Sequence, residues 1–329
     1  MRPSCVGRFS HVVVSGTVTT IASVINPTGA GLAGTPTAPA LHWIYVGKNL
    51  MPGETVADFN AKTCSEVNVD LPHSAYDIQS VDLGGVISKA GDYGVLFNDP
   101  SVNNNWRGKL NGGAVSYELA KAYMVAAGAL GTRGYLLVEG ATPALTATNL
   151  EGYALVFDYK TGSAWGYKAD ELQTDHSNAT NGDIRVHVMP PKEAISRLMV
   201  TPNDHTTAVA TNPMRPGQAN FGTLSADLTS NMTIGGQAKA IVDRDENAIS
   251  GNAASAVTCV GTVDVLDLVS PGAAQFAPDG GWMTVQVTEA APALGAVVYQ
   301  LDFGGQGATA GTLNGVSYPG TWNNVFQVQ

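Results

Sequence analysis

Apolar and β-branched residues alternate with polar ones, or form short runs, along most of the chain. Both patterns are typical of β-strands, and clusters of Gly, Pro, Asn and Asp between them are typical of turns. The pattern predicts strands within residues 11–24, 41–46, 93–98, 134–139, 183–189, 257–269, 281–288 and 295–303. The chain is therefore predicted to be mainly β.

Residues 152–167 give the clearest local prediction. Two aromatic-rich runs flank the segment Lys160-Thr-Gly-Ser, and Gly162 supplies the positive φ that a tight turn needs. We expect a β-hairpin here.

Residues 114–130 depart from the strand pattern. The segment is rich in Ala, Leu, Met, Glu and Lys, and Gly128 and Gly131 are suited to end a helix. Tyr117, Ala120 and Met124 fall at helical spacing, so we predict one clear helix at about 114–130. A second, shorter helix is predicted over 192–198, because two prolines precede it and proline suits a first helical turn.

The composition changes between residues 201 and 237, where Thr, Asn, Pro, Gly and Ser dominate. Such a segment is typical of a linker or a long surface excursion. We therefore predict a β-rich domain with one helix over 1–200, a linker or surface excursion over 201–237, and an all-β domain over 238–329.

Charge is sparse and acidic. Asp, Glu, Lys and Arg make up 13% of the residues and the net charge is −10, whereas about 25% charged residues is usual. No cluster of Lys and Arg is present to neutralise phosphates, so we expect no direct nucleic-acid binding. No long uninterrupted apolar stretch is present either, so we expect no membrane-spanning helix.

The three cysteines, Cys5, Cys64 and Cys259, are far apart and have no CxxC spacing. This spacing argues against a zinc or redox site. An odd and small number is also unlike a secreted disulfide framework, so we expect free buried thiols.

Two glycine-rich or acidic segments resemble binding loops. Gly305, Gly307 and Ala310 follow an apolar strand as in a dinucleotide site, but no helix follows them, so a flexible loop is expected. Asp243, Asp245 and Asn247 begin like a calcium loop, but its sixth and twelfth positions are both alanine. We predict a solvated acidic turn, and leave open an ion shared between subunits.

The remaining candidates for chemistry are dispersed. The six histidines form no HxH or HExxH pair, and Ser317 does not lie in a GxSxG motif. We therefore assign no catalytic residue, cofactor site or metal ligand. Trp106, Trp165 and Trp322 are expected to pack in the core or at subunit contacts, with a sugar-binding face as the alternative.

Two architectures are consistent with these patterns. The first is a mainly β jelly-roll or β-sandwich with the 114–130 helix added. The alternative is the α+β fold of tailed-phage capsid proteins, in which that helix would be the long spine. Strands outnumber predicted helices, which favours the β architecture.

The function most consistent with these features is that of a virion structural protein, a capsid, coat or decoration subunit of a phage-like particle. Such a protein assembles in the host cytoplasm, needs no export leader, and binds copies of itself and other shell proteins. The start of the chain shows no cleavable leader, which fits this expectation. The alternative is an extracellular adhesin, surface-layer or filament subunit, with carbohydrate binding as one variant. A hydrolase is less favoured, because acidic residues are few.

Overall fold

The computed structural model describes residues 5–27, 40–72, 76, 78–84, 95–97, 128–140, 150–158, 163–169, 182–190, 194–202, 220–223, 231–236, 241–249, 253–269, 278–289, 296–304, 310–313, 316–319 and 322–328. This part of the chain is mainly β, which confirms the predicted class. The helix predicted at 114–130 lies outside these ranges, apart from residues 128–130.

The strands in chain order are β1 Cys5–Ser15, β2 Val18–Ile25, β3 Ala40–Leu50, β4 Ser65–Pro72, β5 Ile78–Asp82, β6 Val95–Phe97, β7 Gly131–Gly140, β8 Glu151–Asp158, β9 Ser163–Lys168, β10 Gly182–Val188, β11 Ala194–Pro202, β12 Asn220–Thr223, β13 Asn231–Gly236, β14 Ile241–Asp243, β15 Ala248–Ile249, β16 Ala254–Thr258, β17 Gly261–Asp264, β18 Gly281–Glu289, β19 Ala296–Gly304, β20 Ala310–Leu313, β21 Val316–Pro319 and β22 Trp322–Val328. An α-helix, α1, spans Val56–Ala61, and a 3-10 helix spans Val265–Leu268.

Each segment predicted as β contains a strand, although two of the segments are divided. Residues 11–24 contain the end of β1 and most of β2, and residues 257–269 contain the end of β16, then β17 and the 3-10 helix. The predicted hairpin is also confirmed, since β8 and β9 pair antiparallel from Tyr153 opposite Lys168 to Asp158 opposite Ser163.

The helix predicted over 192–198 is wrong. Residues 194–202 form β11, which pairs with β17 on one side and β19 on the other. Residues on both faces of this strand are buried, including Leu198 and Met199. Hydrogen bonding to two neighbouring strands and burial on both faces outweigh the local preference for a helix after two prolines.

Helix α1 was not predicted. Thr55 caps it, because its hydroxyl accepts a hydrogen bond from the Asp58 amide while the Asp58 carboxylate accepts one from the Thr55 amide. This reciprocal capping box satisfies two amides that a short helix otherwise leaves unpaired.

The strands form four antiparallel sheets and a small hairpin of β20 and β21. Sheet A has the order β1-β7-β3-β4-β12, and sheet B the order β6-β5-β2-β8-β9. Sheet C has the order β17-β11-β19-β22. Sheet D has the order β15-β14-β18-β13-β16, with β10 also paired to β18.

Alternating side chains place apolar residues on both faces of sheet A. Trp43 and Leu136 belong to a buried cluster shared with Ala22 and Ala154 of sheet B. Residues on the opposite face belong to two clusters, one shared with sheets B and C and the other with the β16–β17 turn. A fourth cluster, including Leu198 and Val285, lies between sheets C and D. Buried contacts therefore connect sheet A with B, sheet C with both A and B, and sheet C with D.

Sheet pairing crosses the predicted domain limits. Strand β10 and most of β11 precede residue 201 and pair with β18, β17 and β19, which follow residue 237. The predicted linker contains β12, which pairs with β4, and all of β13, which pairs with β16 and β18. The division into separately folding domains stays a prediction.

Gly134 lies where two strands approach closely. A Cβ at this position would be 2.1 Å from the Val46 carbonyl oxygen and 2.6 Å from the Gly47 Cα. We expect Gly134→Ala to lower the free energy of unfolding by about 3 kcal/mol, because the clash is with backbone. Chemical denaturation measures the change. Gly16→Ala is the control, since nothing lies within 4 Å of a Cβ there; equal stability of the two variants would refute the close approach.

Candidate assembly surface

The outer face of sheet B carries an unusual number of apolar side chains. In the β2–β8 pair, Ile21 lies opposite Leu155 and Ser23 opposite Tyr153. In the β2–β5 pair, Ile25 lies opposite Ile78. Because directly opposed residues of antiparallel strands share a face, these side chains form one continuous area. We call Ile21, Ile25, Ile78, Tyr153 and Leu155 the sheet B surface.

This surface is exposed rather than covered. Ile78, Tyr153 and Leu155 are 43%, 41% and 42% exposed, and Ile21 and Ile25 are half-buried. The opposite face of β8 is buried through Ala154 and Val156. Isolated exposed apolar residues are common, but a contiguous group of them marks an interaction site.

Three charged residues lie beside the sheet B surface in the part of the chain that the structure describes: Glu151, Lys168 and Asp82, which is buried and lies opposite Ile21 in the β2–β5 pair. Glu151 accepts a hydrogen bond of 2.8 Å from the Tyr153 hydroxyl, and Lys168 lies opposite Tyr153 across the hairpin. The Glu151 carboxylate raises the pKa of the Tyr153 hydroxyl. The surface therefore has an apolar centre, with Glu151 and Lys168 at one end and the buried Asp82 at the other, which suits docking rather than catalysis.

The aromatic residues selected from the sequence differ in their surroundings. Trp165 packs between His11, with ring centroids 5.3 Å apart, and Tyr167, at 5.5 Å, which confirms the packing prediction for this residue. Trp106 lies outside the described residues, and Trp322 is described only as part of β22. Trp282, which the sequence did not single out, is 43% exposed and lies 6.0 Å from the Arg185 guanidinium.

The acidic segment at 243–247 forms a turn between β14 and β15. The Asp243 carboxylate accepts hydrogen bonds from the amides of Asp245 and Asn247 and from the Asn247 side chain. These hydrogen bonds lower the pKa of Asp243. Each oxygen of this carboxylate thus already serves the turn, as expected for an Asx-type turn.

A histidine–carboxylate contact joins sheets C and D. His187 Nε2 contacts the Asp302 carboxylate, which also accepts a hydrogen bond of 3.1 Å from Gln300. Gln300 in turn donates to the His187 carbonyl oxygen at 2.9 Å. This contact orients the His187 ring, and it carries no catalytic assignment. Its residues lie in β10 and β19, 115 positions apart, and no local motif signals it.

The prediction of free thiols is wrong for two of the three cysteines. Cys64 and Cys259 form a disulfide with an S–S distance of 1.99 Å across 195 positions of sequence. The fold brings the residue before β4 next to the β16–β17 turn, a proximity that spacing alone does not reveal.

Lys48 lies beside this disulfide and is buried. Its ammonium donates to the carbonyl oxygens of Asn60, Lys62 and Thr258 at 3.1, 3.0 and 2.8 Å, and it lies 4.8 Å from the centre of the Phe59 ring. Burial, together with the nearby charges of Lys62 and Arg133, lowers the pKa of Lys48 to about 6.

Asn60 makes the second polar link in this region. Its side chain donates to the Thr262 carbonyl at 2.8 Å and accepts from the Thr262 amide at 3.0 Å. The disulfide, Lys48 and Asn60 together connect sheet A with β16 and β17. We call these groups the sheet A–C junction.

Other candidates from the sequence yield no site in the described residues. The loop holding Gly305 and Gly307 lies outside them. Within the described ranges, no three His, Cys, Asp or Glu side chains lie close enough together to hold a metal ion. No helix in that part of the chain is long and apolar enough to cross a membrane.

Comparison with known proteins adds no relative. The chain matches no known protein family, no curated protein and no solved structure.

Proposed function

We propose that this chain is a structural subunit of a virion, a capsid, coat or decoration protein of a phage-like particle. In this role it acts by binding copies of itself and other shell proteins, and it has no catalytic activity. The observation that carries the proposal is the sheet B surface, a contiguous exposed apolar area on an antiparallel sheet.

The chemistry around that surface supports contact between identical copies. A two-fold contact places the same patch on both partners. Glu151 and Lys168 lie at one end of the sheet B surface. A two-fold pairing through this surface would bury the apolar centres of two copies against each other and leave Glu151 and Lys168 of each copy at the rim.

The disulfide is compatible with a particle that leaves the cell. Disulfides persist on virion surfaces and outside cells, and are rare where glutathione keeps thiols reduced. We propose that the subunit assembles in the host cytoplasm and that Cys64 and Cys259 are oxidised after release.

A second candidate is an extracellular adhesin, surface-layer or filament subunit. The same disulfide favours an oxidising location, and the exposed Trp282 with Arg185 beside it is a surface on which a sugar ring can stack. Binding of glycans by a monomeric chain would select this candidate over the first.

For the fold we propose a β-sandwich or jelly-roll arrangement. The buried cluster between sheets A and B, and the one between C and D, support it, since sandwiches bury apolar residues between facing antiparallel sheets. The tailed-phage capsid fold stays the alternative and depends on a spine helix at 114–130.

The test is the native mass of the purified chain and of a surface variant. We expect the wild-type chain to form large particles or lattices, seen by light scattering and negative-stain microscopy. Leu155→Asp introduces a charge at the centre of the sheet B surface and is expected to reduce the assembled fraction at least tenfold.

Leu130→Asp is the matched control, because Leu130 is 47% exposed but lies outside sheet B. It should assemble as the wild type does. A wild-type chain that is monomeric at high concentration would contradict the proposed function. Assembly that Leu155→Asp leaves unchanged would instead exclude the sheet B surface as the contact.

A further inference from the structure

The layer between sheets A and C contains buried arginines with little acidic compensation. Arg133 of β7 is 1% exposed and Arg197 of β11 is 2% exposed. Asp264 is the acidic partner of Arg197. In a chain with a net charge of −10, this concentration of buried positive charge requires an explanation, since a buried charge is costly unless it is paired.

Arg197 illustrates how a guanidinium in this layer is satisfied. Its Nε donates to Asp264 Oδ1 at 2.5 Å and its Nη2 donates to Oδ2 at 3.1 Å. The Nε–Nη2 edge of the guanidinium thus binds one carboxylate, that of Asp264, through two parallel hydrogen bonds. Both Asp264 oxygens are used by this contact.

The same edge of Arg133 faces no carboxylate within hydrogen-bonding distance among the described residues. Its Nη1 donates to the Met199 sulfur at 3.1 Å, whereas its Nε and Nη2 are both buried and have no hydrogen-bond partner in the part of the chain that the structure describes. Leaving two N–H groups of a buried cation unpaired costs several times a normal hydrogen bond. Burial and the neighbouring Arg197 lower the pKa of Arg133 to about 9, which still leaves it charged at neutral pH.

Two further polar atoms of the same layer are also buried and have no hydrogen-bond partner within the described ranges. They are Nε2 of His11, whose ring interacts electrostatically with Arg133, and Oγ1 of Thr262. Thr262 lies directly opposite Met199 in the β11–β17 pair, and Met199 is the residue that contacts Arg133. Both atoms can donate a hydrogen bond: the ring nitrogen in one neutral tautomer, and the hydroxyl by rotation.

We propose that the Nε–Nη2 edge of Arg133 binds a small inorganic anion of the halide class, with chloride as its ordinary occupant. The anion receives two N–H donors from Arg133 and neutralises a charge that Asp264 compensates only at a distance, because both Asp264 oxygens accept hydrogen bonds from Arg197. A monatomic ion needs the least room beside atoms that are fully buried. Because the site is internal, it does not depend on the proposed assembly.

The direct test places bromide in crystals of the full chain and locates it by anomalous scattering. We expect a peak beside Nε and Nη2 of Arg133. A second measurement compares thermal unfolding in sodium chloride and in sodium gluconate at equal ionic strength. Chloride at 100 times its Kd should raise the Tm by about 5 °C, because a ligand that binds only the folded state stabilises it.

Arg133→Met removes the donors and should abolish the difference between the two salts. Arg185→Met is the control, because Arg185 is exposed on sheet D, and it should keep the difference. Absence of a bromide peak at Arg133 overturns the proposal, as does equal stability of the wild type in both salts. If Arg133→Met does not fold, the bromide map of the wild type decides alone.

Discussion

Replacing Cys64 and Cys259 with serine lowers the free energy of unfolding by about 5 kcal/mol. The disulfide closes a loop of 195 positions. A cross-link over a loop of this length lowers the conformational entropy of the unfolded chain, which raises the free energy of the unfolded state by about 5 kcal/mol. The effect is large because the bond joins sheet A to the β16–β17 turn, so that the unfolded chain is constrained over more than half of its length.

Denaturant unfolding of the double variant measures this loss, and reduction of the wild type should reproduce it. Cys5→Ser is the control, because it removes a thiol and leaves the disulfide intact. A double variant as stable as the control would show that Lys48 and Asn60 alone hold the sheet A–C junction. The sheet B surface is separate from this junction, so assembly of the folded double variant is expected to persist.

The strands were predictable where burial differs between the two faces or where turn residues mark their ends. The β8–β9 hairpin is such a case, since Gly162 lies between two runs of β-forming residues. Strand β11 was predicted as a helix from the two prolines that precede it. In the fold both of its faces are buried, one against sheet D and the other in a cluster shared with sheets A and B. Its sequence therefore lacks the alternation that identifies a half-buried strand.

The functional surfaces were less predictable, because each depends on contacts between distant parts of the chain. Strand β8 is apolar on both faces, and its sequence does not reveal which face another sheet covers. The Cys64–Cys259 disulfide likewise depends on tertiary approach. One local signal was available: Lys48 is a single charged residue within the apolar strand β3, which indicates a buried and therefore partnered amine.

Lys48 should make the stability of the protein depend on pH between about 6 and 10.5. Its pKa is lowered from 10.5 to about 6 in the folded protein. Within this interval the unfolded state binds the proton and the folded state does not, so the free energy of unfolding rises with pH. The slope reaches about 1.4 kcal/mol per pH unit, and the contribution is lost as the pH falls towards 6.

Comparison with Lys48→Met isolates this contribution, because the other titrating groups are common to both proteins. Methionine has a similar length but leaves the carbonyl oxygens of Asn60, Lys62 and Thr258 without their donor, which lowers stability at pH 9. The difference in the free energy of unfolding between wild type and variant should then become smaller as the pH falls from 9 to 6. Lys168→Met is the control at an exposed position of β9, and its free energy of unfolding should depend on pH as that of the wild type does. The free energy of unfolding of Lys48→Met would contradict this prediction if it had the same pH dependence as that of the wild type. In that case the three carbonyls and the Phe59 ring keep the amine charged at every pH tested, and an ammonium ion rather than a neutral amine holds the sheet A–C junction.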